Sequence, residues 1–506
     1  VVDGFEVNVS PVINKGILSS SVVTKDVTGI AGGILYNTLV KGSVSGVKTV
    51  NVTATGVIEN VEGNGNNRMG AAGDNRYVTT DDWEYQLMET SADIDAGTTG
   101  INDYITMVGH SCDIAGNKRI RNKVDNGCFE TWNITKDMKE GNVVTEDDYP
   151  HGKSVVYVRH DAENNDGAEL LITKDYTDAA PFNPGFLLLE HHAGLRANNK
   201  AISLTHFAVE RNIGTSGTDM TVMPFEVTRT EGTAELSLYD AITRAGYSYQ
   251  YSKDSGAWEK TTYNAARTPL TTGWLLEGTA GSKVRFYGDS YVENVDAGKS
   301  IELLKNNFNE PWTSSSAGGN RFTHKENMSW NLFGSPYLCA MNYSDMQYGR
   351  VMYGYHNGAY TTLNTIDDNA EGYIPAGDAV FTQTATLKER ETIEVAQPME
   401  INGKSGVAYQ GSKDMAVVLS HAYTRGGGDS QEDRLQLRAV PAGESRSDFD
   451  INGEGVKWMS AGRPQIYAWQ GGGRYSLLSA VSIEGEVSVG VSTLTSPSML
   501  TAESNE

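Results

Sequence analysis

The hydrophobic positions of this chain alternate with polar or small residues over much of its length. Over residues 40–46, valine and glycine alternate with lysine and serine. A period of two places successive side chains on opposite faces, which is the pattern of a half-buried β-strand. Apolar runs of strand length follow at residues 154–158, 169–172, 185–190 and 201–209. Their spacing of roughly 15–17 residues fits stacked rungs of a β-solenoid and also the strands of a β-sandwich.

Helical periodicity is scarce in the sequence. We predict one helical stretch at residues 300–305, Ser-Ile-Glu-Leu-Leu-Lys. Residues 61–80 are rich in glycine, asparagine and aspartate, which is typical of a loop. Residues 81–150 are polar and show no clear period.

An internal repeat marks the second half of the chain. An aromatic-x-aromatic segment, a glycine-containing turn and a further aromatic residue recur at residues 249–258, 353–360 and 467–475. Alternate aromatics followed by a tight turn are typical of a β-hairpin. The copies are about 104 and 114 residues apart, which is the size of an immunoglobulin-like sandwich.

The pattern therefore predicts an all-β protein. We expect an amino-terminal β-solenoid or other β-rich region at residues 1–210. Three immunoglobulin-like β-sandwich domains should follow at residues 211–300, 301–400 and 401–506. The cysteine-tryptophan-cysteine pattern of antibody domains is not present in the sequence.

Composition and charge narrow the class of partner. The chain has 506 residues, of which 39% are hydrophobic, enough to form cores in several domains. Its net charge is −23, and the acidic residues are spread along the chain. Nucleic acids and anionic membrane surfaces need patches of lysine and arginine, so we predict neither as a partner. The acidity favours a general role in solubility. The more specific alternative is cation binding by clustered carboxylates.

The sequence predicts no membrane span. Its longest strongly apolar runs, such as residues 185–189, are much shorter than the roughly 20 residues that a spanning helix needs. The chain opens with Val1-Val2-Asp3-Gly4, which lacks the basic and apolar regions of a signal peptide. If the protein is exported, we expect this to be its mature or trimmed form.

Several segments together resemble a family of large secreted proteins of Bacteroidetes. Residues 329–337, SWNLFGSPY, resemble the WNLIGNPY signature of that family. Residues 372–381, GYIPAGDAVF, resemble the GYIPPGQGFFV element that accompanies it. The stretch at residues 192–211 is similar to the segment that precedes the signature, and residues 449–467 are similar to the last sandwich before a sorting domain.

The resemblance covers roughly residues 185–490 and implies a location. It implies export by the type IX secretion system, followed by display at the outer cell surface or release. The family's sorting domain should follow a region like residues 480–500, and we expect it to be absent, cleaved or excluded here. In the family these modules are scaffold for many activities, so the resemblance carries over no catalytic residue.

One segment has the donor pattern of a metal loop. Asp448, Asp450 and Asn452 are followed by glycine and glutamate, as in the front of a calcium loop. Met459 stands where the closing bidentate glutamate is expected, and the resemblance places a turn without metal here. Calcium is the one candidate cofactor.

The three cysteines have no metal spacing. Cys112 and Cys128 are sixteen residues apart and are either a disulfide or two buried thiols. Cys339 lies between Leu338 and Ala340, and we predict that it belongs to a core.

We predict no catalytic residue. The sequence has no convincing nucleophile elbow, phosphate loop or metalloprotease motif. Adjacent His191 and His192 would point to opposite faces of a strand, so we interpret them, with His206, as structural or surface residues.

The best candidates for binding are aromatic. Exposed tryptophan and tyrosine rings can stack on sugars, although aromatics in such repeats more often fill sandwich cores. The candidate ligand-binding residues are Trp258, Trp274, Tyr355, Tyr360 and Trp469.

These observations favour a non-enzymatic extracellular or cell-surface protein, structural or adhesin-like. Its expected partners are further copies of itself, a surface glycan or a host ligand. One alternative is an array of carbohydrate-binding surface modules. Another is a polysaccharide-cleaving enzyme with its site on the amino-terminal β-helix.

Overall fold

The structure of the protein is a computed structural model. It describes residues 2–3, 6–7, 12–14, 17–19, 21–23, 27–30, 34–40, 44–45, 48–54, 87, 89, 91, 94–96, 113, 125, 129–135, 143–144, 154–161, 166–197, 200–215, 217–232, 247–252, 257–262, 273–294, 298–304, 330–342, 351–356, 359–364, 373–383, 390–395, 416–424, 430–439, 455–456, 465–470, 473–480, 488–492 and 498–504. Every regular element among these residues is a β-strand, so the predicted all-β class is confirmed for that part of the chain.

The chain divides into two compact units. The first comprises Val1–Glu210 with Tyr287–Ala297, and the second comprises Arg211–Phe286 with Gly298–Glu506. The division of the later residues into three sandwiches stays a prediction.

The first strands of the chain are short and parallel. They are β1 (Val2–Asp3), β2 (Glu6–Val7), β3 (Val12–Asn14), β4 (Ile17–Ser19), β5 (Val22–Val23), β6 (Val27–Ile30), β7 (Ile34–Val40), β8 (Val44–Ser45) and β9 (Lys48–Ala54).

These nine strands stack in register on the strands one repeat away. Val2 pairs with Leu18, Leu18 pairs with Leu35, and Leu35 pairs with Thr49. The second sheet, β3-β6-β8, advances by a similar step, because Val27 pairs with Val44. Apolar residues are therefore mostly paired with apolar residues of the neighbouring strand, and Leu18 and Val27 are buried.

The strands that follow in the chain are separated by longer steps. The next strands are β10 (Trp132–Ile134), β11 (Val143–Val144), β12 (Val155–Val158), β13 (His160–Asp161), β14 (Asp166–Gly167), β15 (Glu169–Ile172), β16 (Phe186–Leu189), β17 (Gly194–Arg196), β18 (Ile202–Leu204) and β19 (Phe207–Asn212). Strands β10, β12, β16 and β19 are parallel neighbours in one sheet, and β11, β15 and β17 form another.

The interpretation of each apolar run as one rung is wrong for residues 154–190. Val155 pairs with Phe186, so the strands that stack come from the first and third of these runs. The run between them, residues 169–172, forms β15 and belongs to the other sheet, so one stacking repeat contains two runs. Every residue of β12 and β16 is buried, as expected for parallel strands covered on both faces.

Most strands in the middle of the chain form antiparallel pairs. Its strands are β20 (Thr218–Thr221), β21 (Arg229–Gly232), β22 (Tyr247–Ser252), β23 (Ala257–Thr262), β24 (Trp274–Glu277), β25 (Lys283–Gly288), β26 (Tyr291–Glu293), β27 (Lys299–Leu304), β28 (Trp330–Gly334), β29 (Met341–Asn342), β30 (Val351–His356), β31 (Ala359–Asn364), β32 (Tyr373–Ile374), β33 (Ala379–Gln383) and β34 (Arg390–Val395).

The predicted helix at residues 300–305 is wrong. Its described residues belong to β27, which pairs with β34 so that Ile301 lies opposite Ile393. Ile301 and Leu303 are fully buried, whereas Ser300 is exposed. Burial at every second residue is the pattern of a strand, and it outweighs the helix-forming tendency of leucine and glutamate.

The last strands form one large sheet. They are β35 (Ala416–Thr424), β36 (Ser430–Ala439), β37 (Gly455–Val456), β38 (Gln465–Gln470), β39 (Gly473–Ala480), β40 (Ser488–Ser492) and β41 (Ser498–Ser504), in the order β40-β38-β39-β36-β35-β41 with β37 beside β39. Ile466 and Ala468 of β38 pack with Leu435 in its core.

The three predicted aromatic hairpins are confirmed. Tyr251 lies opposite Trp258 in the β22–β23 hairpin, and Tyr355 lies opposite Tyr360 in the β30–β31 hairpin. In the third hairpin, β38–β39, the register places Trp469 opposite Arg474 instead of an aromatic residue. An Asn-Gly dipeptide at residues 357–358 separates the second pair of strands, and this dipeptide favours tight hairpin turns.

Candidate functional site

Residues from three of the resembling segments contact one another in the second unit. The buried side chain of Arg211 donates hydrogen bonds to the carbonyl oxygen of Ala376 at 3.0 Å and to the carboxylate of Asp378. The hydroxyl of Thr221 donates to the carbonyl oxygen of Gly377 at 2.7 Å. We call Arg211, Ala376 and Asp378 the Arg211 clamp. It fixes a turn in which Gly377 has a φ of +76°, a conformation that favours glycine.

The SWNLFGSPY segment is likewise part of the packing. Its strand β28 pairs with β33, so that Leu332 lies opposite Phe381. A Cβ on Gly334 would overlap Val222 and the carbonyl oxygen of Asp378, so the close approach requires glycine. The hydroxyl of Tyr337 accepts a hydrogen bond from the Lys299 backbone N–H at 3.0 Å.

A polar ladder crosses three adjacent parallel strands of the first unit. The guanidinium of Arg159 donates to the side-chain oxygen of Asn133 and to Glu190 Oε1, the latter at 2.9 Å. It also donates to the carbonyl oxygen of Glu89 at 3.0 Å. The second oxygen of Glu190 accepts the backbone N–H of His160 at 2.8 Å. We call Asn133, Arg159 and Glu190 the Arg159 ladder; its charged groups are bonded on several sides, which favours a structural role.

Three histidines lie beside this ladder. The rings of His191 and His192 are stacked with centroids 3.7 Å apart, and the His160 ring is 5.1 Å from that of His191. The premise that His191 and His192 point to opposite faces of a strand is wrong, because they occupy a turn in which His192 has a φ of +61°. Among the described residues, no group of three or more histidine, cysteine or acidic side chains is arranged to hold a metal ion.

An acidic side chain is buried in the same unit. The carboxylate of Asp125 accepts the backbone N–H groups of Asp95 at 2.7 Å and of Thr131 at 2.8 Å. Burial raises the pKa of Asp125 to about 7, and the negative charge of Asp95 adds to the rise. The two N–H groups limit the rise because they favour the charged form. The sequence carried no signal for this group, since it falls in the polar stretch without a clear period.

One predicted binding residue is exposed to solvent. The side chain of Trp469 is 45% exposed, and the ring of Tyr467 lies 6.4 Å away, tilted by 55°. Both residues point away from buried Ile466 and Ala468, because side chains alternate along β38. We call Tyr467 and Trp469 the Trp469 platform. Tyr467 was not among the predicted binding residues, although its position two residues before Trp469 places both on one face.

The other predicted site residues are described less fully or not at all. The backbones of four aromatic candidates lie in β23, β24, β30 and β31, and their side chains are outside the described part; these are Trp258, Trp274, Tyr355 and Tyr360. The candidate calcium ligands and disulfide cysteines lie outside the described residues; these are Asp448, Asp450, Asn452, Cys112 and Cys128. Cys339 is buried in a core cluster, as predicted.

Comparisons of this chain with protein-family models, with curated proteins and with solved structures find no match. The resemblance to type IX secretion cargo therefore depends on the sequence motifs alone. The described part of the chain contains no candidate membrane-spanning helix.

Proposed function

We propose that this chain is a non-enzymatic protein of the outer cell surface or the extracellular space, structural or adhesin-like, exported by the type IX secretion system. The observation that carries this proposal is that residues of the resembling motifs stabilise the fold. Arg211, Gly334 and Asp378 belong to those motifs, and all three contribute to packing or to turn geometry. This use agrees with the role of such motifs as scaffold in the secreted proteins that the chain resembles.

The strand arrangement supports the structural part of the proposal. We infer that the parallel strands of the first unit form a β-solenoid, since Val2, Leu18 and Leu35 stack on one another in register. The largely antiparallel sheets of the second unit are then the proposed sandwiches. Solenoids add stacked repeats without a change of local structure, which suits surface structures and self-association.

The location can be tested on intact cells that produce the protein. Brief protease treatment of whole cells should remove the protein, and deletion of a type IX secretion component should trap it inside. A cytoplasmic protein, used as the control, should survive the same treatment. Protection of the protein in intact cells, with none in the culture medium, contradicts the proposal.

Self-association can be tested separately with the purified chain. Light scattering over a range of protein concentration should show species larger than the monomer. A strictly monomeric protein at high concentration contradicts the self-assembling form of the proposal and leaves the adhesin-like form in place.

The second candidate function is polysaccharide cleavage, and the cluster of three histidines beside Glu190 is the observation that favours it. A glutamate, an arginine and three histidines come together at the ends of parallel strands in the first unit. Cleavage would release new reducing ends from a polysaccharide, and Glu190→Gln should abolish that release if Glu190 transfers a proton. Asp289→Asn, at an exposed position of the same unit, is the control. Absence of new ends with the unaltered protein contradicts this candidate.

A further inference from the structure

The platform of Tyr467 and Trp469 lies on one face of β38, and the alternate residues on the other face of this strand are buried. Ile466 and Ala468 are fully buried with Leu435, so β38 is anchored from behind. The aromatic pair occupies the alternate positions, where Trp469 is exposed and Tyr467 is half-buried. A large aromatic side chain held outward on an anchored strand keeps its geometry before a ligand arrives.

The backbone of the neighbouring strand β40 leaves space for the aromatic pair. Strand β40 places Gly490 opposite Tyr467 and Ser488 opposite Trp469. A Cβ on Gly490 would overlap the Tyr467 ring, so this ring lies directly against the glycine backbone. Ser488 is exposed and sets a hydroxyl beside the indole, since residues directly opposite have Cβ atoms about 5 Å apart.

The chemistry of this surface narrows the class of ligand. An exposed indole next to a tilted phenol offers two apolar faces with polar rims, which suits a ligand that is itself flat and apolar on one face and polar at its edge. Nucleobases and sugar rings both have that form. The net charge of −23 disfavours polyanions such as nucleic acids and acidic glycans.

We propose that Tyr467 and Trp469 bind the sugar rings of a neutral polysaccharide, with Trp469 as the main stacking surface. This site rests on the proposed function and deepens it, because the polysaccharide would be the ligand of the adhesin-like protein. The hydroxyl groups of Tyr467 and Ser488 are placed to bond the edge of the sugar.

The experiment is retention of the full chain on insoluble cellulose, xylan, mannan and β-1,3-glucan, with alginate as the anionic comparison. The unaltered protein should be retained by at least one neutral polysaccharide and not by alginate. Trp469→Ala should weaken that retention at least about tenfold, the loss typical of a stacked ring. Gly490→Ala should also weaken it, because the new Cβ displaces the Tyr467 ring.

The matched control is Val292→Ala. Val292 is 51% exposed and belongs to the first unit, so this change removes exposed apolar surface away from the platform. Its retention should equal that of the unaltered protein, and the melting temperature of Trp469→Ala should be unchanged.

Two results would overturn the inference. One is retention by none of the four neutral polysaccharides, and the other is retention that Trp469→Ala leaves intact. Neither bears on the location of the protein, which the protease treatment of whole cells measures. If the protein lies at the cell surface but is retained by no glycan, only the proposed sugar site is excluded. If the protein is retained by a glycan but is confined to the cytoplasm, the proposed function is contradicted.

Discussion

The guanidinium of Arg211 donates a hydrogen bond to the carboxylate of Asp378, a residue 167 positions further along the chain. Arg211 is 1% exposed, and its charge is compensated mainly through this contact and the carbonyl oxygen of Ala376. The two residues belong to different motifs of the family resemblance, and their hydrogen bond connects these motifs in the folded chain.

Removal of Asp378 should strongly destabilise the second unit. In Asp378→Ala the buried guanidinium of Arg211 loses its counter-charge, and such a loss costs about 3–5 kcal/mol of unfolding free energy. Urea unfolding measures the change. The control is Asp175→Ala, which breaks an ion pair with Lys200 at the surface and should change the midpoint little. Equal midpoints for the two variants would mean that the Arg211 clamp does not stabilise the fold.

The pH dependence of stability should report the Asp125 carboxyl. Its pKa in the folded state is raised from 3.8 to about 7, so the folded chain binds more protons than the unfolded chain between these values. Stability from this group is therefore greatest below about pH 4 and falls as the pH rises to about 7.

Asp125→Asn tests this sign. The variant keeps one acceptor oxygen for the N–H groups of Asp95 and Thr131, so it loses some stability at every pH. Relative to the midpoint of the unaltered protein, its unfolding midpoint should nevertheless increase as the pH rises from about 4 to 7. Exposed Asp289→Asn is the control, and a constant difference across this range for Asp125→Asn would refute the raised pKa.

Two glycines should respond oppositely to the same substitution. In Gly334→Ala the new methyl overlaps Val222 and the carbonyl oxygen of Asp378, and such overpacking costs about 1–3 kcal/mol of unfolding free energy. In Gly354→Ala the methyl meets no atom within 4 Å, so stability should stay equal or rise slightly. Thermal unfolding compares the melting temperatures of the two variants. If Gly334→Ala is as stable as the unaltered protein, the backbone at residue 334 can move away from Val222 and Asp378 without loss of stability.

The calcium hypothesis has a direct test. If Asp448, Asp450 and Asn452 bind calcium, the ion should raise the melting temperature and a chelator should lower it, because a ligand bound only by the folded chain stabilises it. Asp450→Asn should abolish the response. An identical melting temperature with calcium and with chelator would remove calcium as a cofactor.

The Trp469 platform shows how far a local pattern can identify a site. The aromatic repeat identified Trp469, and the period of a strand shows that Tyr467 shares its face. The pattern does not say which face of a strand is covered. That depends on Leu435 of the earlier strand β36, which packs against the opposite face with Ile466 and Ala468.

Many strands and their tight turns could be predicted from the sequence, because alternation and turn residues act over short stretches of the chain. The sequence therefore predicted the all-β class and the three aromatic hairpins, whose partners are neighbours in the chain. Its one predicted helix failed because a short apolar run, residues 300–305, fits either period until a partner strand is known.

The pairing of distant strands, and the side chains that this pairing brings together, became known from the folded structure. Parallel pairing joins Val155 to Phe186 across an intervening strand, and the contact of Arg211 with Asp378 spans a large part of the second unit. Such contacts depend on the burial and charge of residues far apart in the chain, so the hydrophobic period of one segment does not predict them. A strand satisfies only half of its backbone hydrogen bonds from each neighbour, so another part of the chain must complete its environment.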